Sequence, residues 1–168
     1  MAKWRIGRTP AGETQDGPAL ANGERALVSA TAGDGRRVVG TDRALHLGDG
    51  RVLGWHQVDH ARWDVTADVL EIVTLPEGTT PPQTYRISIP DPGRLPELVR
   101  ERVTSSILVT ERIKLTGAAG ARIVARRLPG DAGVRWSVIY DDGVSGADPQ
   151  VQAVTRAAVE RLKTRWGV

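Results

Sequence analysis

Tyr85-Arg86-Ile87-Ser88-Ile89-Pro90-Asp91-Pro92-Gly93-Arg94-Leu95-Pro96-Glu97-Leu98-Val99 is the stretch in which the chain changes its period. Up to Ile89 the apolar residues fall at every second position, the spacing that puts Tyr85, Ile87 and Ile89 on one face of a strand. Beyond Asp91, Leu95, Leu98, Val99 and Val103 recur at the three- and four-residue spacing of a helix with one buried face. Asp91 is the expected cap, with Pro92 and Pro96 in the first turns, where a missing N–H costs little. Glu97, Arg100 and Glu101 fall on the wet side.

Working back from this point, period-2 segments separated by turn chemistry predict seven strands between Glu24 and Ile89. Ala26, Val28 and Ala30 alternate in the first, and Gly33-Asp34-Gly35 turns into Arg36–Thr41. Ala44–Leu47 ends at Gly48-Asp49-Gly50, where Asp-Gly supplies the positive φ of a tight hairpin. Arg51–Val58 returns, Ala61, Trp63 and Val65 share one side of a fifth strand, and Val69–Leu75 is the sixth. Pro76–Thr84, with three prolines and a glycine, is a loop before the seventh. Residues 1–23, rich in Gly, Pro, Thr and Ala, read as a tail able to dock by Trp4 and Ile6.

Working forward, the chain returns to strands. Ile107, Val109, Ile113 and Leu115 share a face, and Gly117-Ala118-Ala119-Gly120 turns into Ala121–Leu128. After Pro129-Gly130-Asp131-Ala132-Gly133, Val134, Trp136, Val138 and Tyr140 alternate with Arg135, Ser137 and Ile139. Asp148-Pro149 opens a last helix with a predicted stripe of Val151, Val154, Ala158, Leu162 and Trp166, stopped by Gly167. Seven strands, a helix, three strands and a helix show no βαβ alternation. The order predicts an α+β fold and argues against a doubly wound nucleotide-binding fold. Three segments follow: the tail 1–23, a unit over 24–105, and a β-β-β-α extension over 106–168 packed on it.

Composition narrows the chemistry. The 168 residues include no cysteine, which excludes disulfides, thiolate nucleophiles and Cys-ligated metal sites. No run approaches the ~20 apolar residues of a spanning helix, and the basic start has no apolar core behind it, so a cytoplasmic protein is expected. Phenylalanine is absent and Arg outnumbers Lys 20 to 3, a pattern of GC-rich coding that weakens Arg count as evidence for an anion site. The net charge of +3 is uneven: residues 91–168 hold 13 basic and 9 acidic side chains, residues 1–90 hold 10 and 11. Attraction to an acidic partner would lie in the second half.

Val38-Val39-Gly40-Thr41-Asp42-Arg43-Ala44-Leu45-His46-Leu47 resembles the second-to-third strand signature of bacterial pleckstrin-homology-like (PH-like) domains. There an apolar strand ends in Thr, a two-residue turn follows, then Arg and a second apolar strand. Gly54-Trp55-His56-Gln57-Val58 and Ala61-Arg62-Trp63 resemble the fourth and fifth strands of that group, and the whole chain is similar to proteins of high-GC bacteria sharing this layout. The resemblance covers residues 24–105. It implies a seven-stranded antiparallel barrel capped by a helix, and an interaction scaffold in place of an enzyme. Lipid-binding members cluster Lys and Arg at the first hairpin; the matching positions here are Arg36 and Arg37 beside Asp34, with no Lys. Lipid binding is therefore not carried over.

Candidate chemistry is sparse. His56 and His60, with Asp59 and Asp64, offer a small N/O metal site, although four-residue spacing in strand and turn does not put two histidines on one face. Asp141-Asp142 is a carboxylate pair at a strand end, where Asp commonly bonds its own turn. Gly117–Gly120 lacks the Gly-Lys-Ser/Thr ending of a phosphate loop. In the late strands Arg112, Lys114, Arg122, Arg126 and Arg135 alternate with apolar neighbours, so a helix covering the apolar face would leave five cations on one exposed face, able to neutralise nucleic-acid phosphate or acidic lipid. The expectation is a non-catalytic binding or assembly module with no cofactor, engaging protein or a second copy. The alternatives are anion binding on the five-cation face and a metal-dependent enzyme on the histidine/aspartate cluster.

Overall fold

A computed structural model describes residues 17–78, 80–115, 117 and 119–167. The proposed contact of the tail through Trp4 and Ile6 lies outside the described residues, as does Ala118 of the Gly117–Gly120 turn. The fold is mixed α and β, with three antiparallel sheets and two long helices. Strands β1 (Ala26–Thr31), β2 (Arg37–Thr41), β3 (Ala44–His46) and β4 (Val52–Gly54) form a four-stranded meander. Strands β5 (Val58–Asp64), β6 (Val69–Thr74) and β7 (Thr84–Ser88) form a second sheet.

Arg51–Val58, expected as one strand, is broken. A 3₁₀ turn over Trp55–Gln57 separates β4 from β5, and the Gln57 side chain accepts from Gly54 N–H at 2.8 Å. The break lets the chain leave one sheet and enter the next, so both sheets face a single core. Val38, Leu45, Leu47, Leu53 and Trp55 come from the first, and Val58, Leu70, Ile72, Ile87 and Ile89 from the second. Side chains of this kind contribute about 1.5–3 kcal/mol each when fully removed from water. The sheets touch at one corner, where Gly33 N–H donates to Ser88 O at 2.8 Å and Thr31 bridges Asp91. No continuous ladder joins them into a closed barrel among the described residues.

Helix α1 (Leu95–Ser106) closes this core with Leu95, Val99 and Val103. It starts later than the sequence suggests. Asp91 is held in the bridge to Thr31, Gly93 turns the chain at φ +50°, and Leu95 N–H donates to Pro92 O, so Arg94 stands at the cap without a side-chain bond. Helix α1 crosses β2 at Gly40, where a Cβ would stand 2.5 Å from a Leu98 methyl; the missing side chain permits the approach.

Strands β8 (Ile107–Lys114), β9 (Gly120–Arg127) and β10 (Val134–Tyr140) form the third sheet in the order β10-β9-β8. Helix α2 (Pro149–Trp166) lies on one side of it. Asp148 caps α2 by accepting from the N–H groups of Gln150 and Val151, and Gly167 ends it in the left-handed conformation. The buried stripe of α2 is rotated from the expected one: Thr155, Ala158 and Leu162 are buried, whereas Val154 and Trp166 are about half exposed. Thr155 can turn inward because its hydroxyl donates back to Val151 O within the helix and meets the Tyr140 hydroxyl of β10 at 3.4 Å.

Candidate functional site

The strand register puts the five cations on one side of the third sheet. Arg112 pairs with Arg122, Arg135 with Arg126 and Lys114 with Gly120 across the ladders, while Ile123 and its neighbours turn to α2. That side is not open, which corrects the expectation of five exposed cations. The first half of the chain covers part of it. Arg126 is 1% exposed, and its guanidinium donates to Val103 O (2.8 Å), Ser106 Oγ (2.9 Å) and Asp59 O (2.8 Å). Burial works against its charge.

The neighbouring cations are matched by carboxylates. Arg122 forms a bidentate pair with Asp59 at 2.9 and 2.8 Å. Burial alone would raise the Asp59 carboxyl, but the bonds from Arg122 and His60 outweigh it and hold the group below its ordinary value. Arg135 donates to Glu77 at 2.6 Å, which holds that carboxyl below its usual range. Arg112 takes both oxygens of Asp141, whose second role is to accept from Gly120 N–H. Lys114 is exposed and has no ion pair among the described residues. Asp59 reads in the sequence only as a candidate metal ligand, and Glu77 carries no signal there, because their arginine partners lie 63 and 58 positions away.

The histidine/aspartate group is dispersed by the same geometry. His60 meets Asp59 at 3.2 Å, Asp64 accepts from Thr66 and Ala67 N–H to shape the β5–β6 turn, and His56 sits in the 3₁₀ turn near Arg135 and Glu77. Burial, with help from Arg135, lowers the His56 pKa. Among the described residues no three His, Asp or Glu side chains are grouped to hold a metal ion. The remaining histidine, His46, is buried against Glu24 at 2.9 Å. Desolvation opposes ionisation of Glu24, yet bonds from Thr41 and His46 keep its carboxyl below the ordinary value. This network ties the start of the domain to β2 and β3. At the first hairpin, Arg36 is taken by Asp34 and Asp49, and Arg37 donates to Ser29 Oγ.

A different feature stands out along β10. Leu128 N–H donates to Gly133 O at one end of the β9–β10 ladder and Asp141 N–H to Gly120 O at the other. With the alternation of an antiparallel pair, these bonds make 133, 135, 137, 139 and 141 the positions that point at β9. The N–H and C=O groups of Val134, Trp136, Val138 and Tyr140 therefore point away from it. β10 is an edge strand, and these groups have no backbone partner among the described residues. Those of Trp136, Val138 and Tyr140 belong to a run, Arg135–Tyr140, that lines a groove of about 760 Å³ together with Pro76, Pro81, Pro82, Gly146, Ala147 and Gln152. The strand itself is half-buried.

Comparison with known proteins adds no relative: the chain matches no family model, no curated protein and no solved structure.

Proposed function

We propose that the chain is a non-catalytic binding module of the bacterial cytoplasm, built on a PH-like scaffold and engaging an extended protein segment along the free edge of β10. The scaffold part of this reading is supported by four strands and three strands sharing one core with a single helix at the end. The binding part rests on one observation. Trp136, Val138 and Tyr140 of β10, whose backbone N–H and C=O groups point away from β9, line a groove shared with Pro76, Pro81 and Pro82, which have no N–H to offer them. An edge strand whose N–H and C=O groups have no backbone partner is the template for strand addition. In strand addition the main chain supplies affinity, and alternate side chains supply selectivity. Trp136, Val138 and Tyr140 would meet every second side chain of the ligand.

The anionic-partner reading draws on the third sheet as well. Four of its five cations are already engaged within the chain, which leaves Lys114 to carry it.

Selection from a random-peptide display library tests the proposal. Recovered sequences are expected to alternate apolar and polar residues, and titration into labelled protein should move the amide resonances of Trp136, Val138 and Tyr140 first. Failure to recover peptides, or shifts gathered away from β10, would overturn it.

A further inference from the structure

Val138 is a centre of symmetry in the pattern of β10 and the residues that follow it. Trp136 stands two places before it and Tyr140 two places after; Arg135 stands three before and Asp141 three after. A strand with this arrangement is complementary to itself. In an antiparallel pair with Val138 opposite Val138 of a second copy, each Trp136 meets a Tyr140 and each Arg135 meets an Asp141. Aromatic pairs and opposite charges set directly across a ladder are stabilising, and here no like charges are opposed. Moving the centre to Ser137 sets Arg135 against Ile139 and Trp136 against Val138. Moving it to Trp136 sets Arg135 against Ser137. Either shift loses the charge match.

The main chain suits the same centre. The N–H and C=O groups of Trp136, Val138 and Tyr140 point away from β9. These are the positions that would form hydrogen-bonded pairs: Val138 with its copy, and Trp136 with Tyr140 on either side of it. The two three-stranded sheets would then run on as one, with both α2 helices on the same side. The charged partners have capacity left. Arg135 gives one nitrogen to Glu77, keeps further N–H donors and is 28% exposed. The Asp141 carboxylate, 30% exposed, accepts from Arg112 and Gly120 N–H and retains an acceptor position on Oδ1. Contact between copies would complete an alternating row of Glu77, Arg135, Asp141 of the second copy and its Arg112. The neighbours of the edge flank it without pairing with it. Glu77 holds Arg135 on the face turned to the first unit, and Gly146 lies close against the Tyr140 ring on the α2 face.

We propose that β10 pairs antiparallel with β10 of a second copy, centred on Val138, and that this self-pairing is the first occupant of the docking edge. The inference rests on the reading of β10 as that edge. Cross-linking and sedimentation of the full chain test it. The chain has no cysteine, so Val138→Cys introduces a single thiol. Across a hydrogen-bonded antiparallel pair its Cα lies about 5.5 Å from that of its copy, within the span of a disulfide. The expected result is a covalent dimer of Val138→Cys under an added oxidant, suppressed by excess peptide of sequence Val134–Asp142. Native protein should show a concentration-dependent monomer–dimer equilibrium, and Val138→Pro should weaken it at least about tenfold, since the lost donor counts once in each copy. Faster cross-linking of Ser137→Cys than of Val138→Cys would overturn the centre. A dimer that Val138→Pro leaves intact would place the contact elsewhere and overturn the inference. A monomer at every concentration, with a selected peptide still bound at β10, would overturn it and spare the docking edge. Absence of both dimer and peptide binding would remove the docking reading with it.

Discussion

The unit formed by β1–β7 and α1 and the unit formed by β8–β10 and α2 are held together by different physics. The first closes two sheets and a helix over one apolar core in which Val38, Leu45, Val58, Ile72, Ile89 and Leu95 are wholly shielded. The second has a small cluster of Ile123, Ala158 and Leu162, and relies on polar bonds to the first unit, chiefly from Arg122 and Arg126. Both units have strand edges, and the thin core beside the half-buried edge of β10 is why the proposed docking surface is sought in the second.

Truncation in the two cores should separate them. Ile72→Ala empties space at the centre of the first core and is expected to cost about 4 kcal/mol, read from denaturant unfolding. Should it cost less than a truncation in the second unit, the ranking of the cores is wrong. Arg126→Ala is expected to cost about 3 kcal/mol, because it strips bonds from the buried carbonyls of Val103 and Asp59 and leaves a cavity between the units. A near-neutral result would mean that the units do not depend on this contact. Leu162→Ala, next to a cleft lined by Ile113, Arg161 and Arg165 that can relax or hydrate, is expected to cost about 2 kcal/mol.

The smallest effect is electrostatic. Asp59 has its carboxyl pKa depressed in the fold, so its stabilising contribution is complete at neutral pH and disappears as pH falls from about 4, the ordinary carboxylate value, through the lower folded value. Asp59→Asn should cost about 1 kcal/mol at pH 7. The gap between variant and native protein should shrink in that acid window. A gap that is constant with pH would show that the pair with Arg122 contributes nothing through charge.

Legibility in the sequence followed the range of the interactions. The alternation of Val134–Tyr140 and the Asp148-Pro149 start of α2 are local signals, and both elements form where the pattern puts them. The strand predicted over Arg51–Val58 breaks because entering a second sheet requires a turn at Trp55–Gln57, which is a tertiary demand with no local mark. Val154 was assigned to the buried face of α2 on hydrophobicity, yet Thr155 takes the inner position by satisfying its hydroxyl within the helix. The alternation of Arg122 and Arg126 correctly put them on one side of β9, but not what covers that side. The edge status of β10 was equally hidden, because alternation reports faces and says nothing of which neighbour a strand lacks.

A proline at position 138 tests the central claim most directly. Val138 N–H points away from β9, so Val138→Pro leaves the β9–β10 ladder intact and removes one donor from the free edge, where proline is tolerated in strands. The account predicts a folded protein within about 1 kcal/mol of native stability. It also predicts that a selected peptide binds at least about tenfold more weakly, as expected for one lost main-chain bond together with the obstruction of the ring. Unchanged affinity in the folded variant would contradict the claim that partners add to the edge of β10.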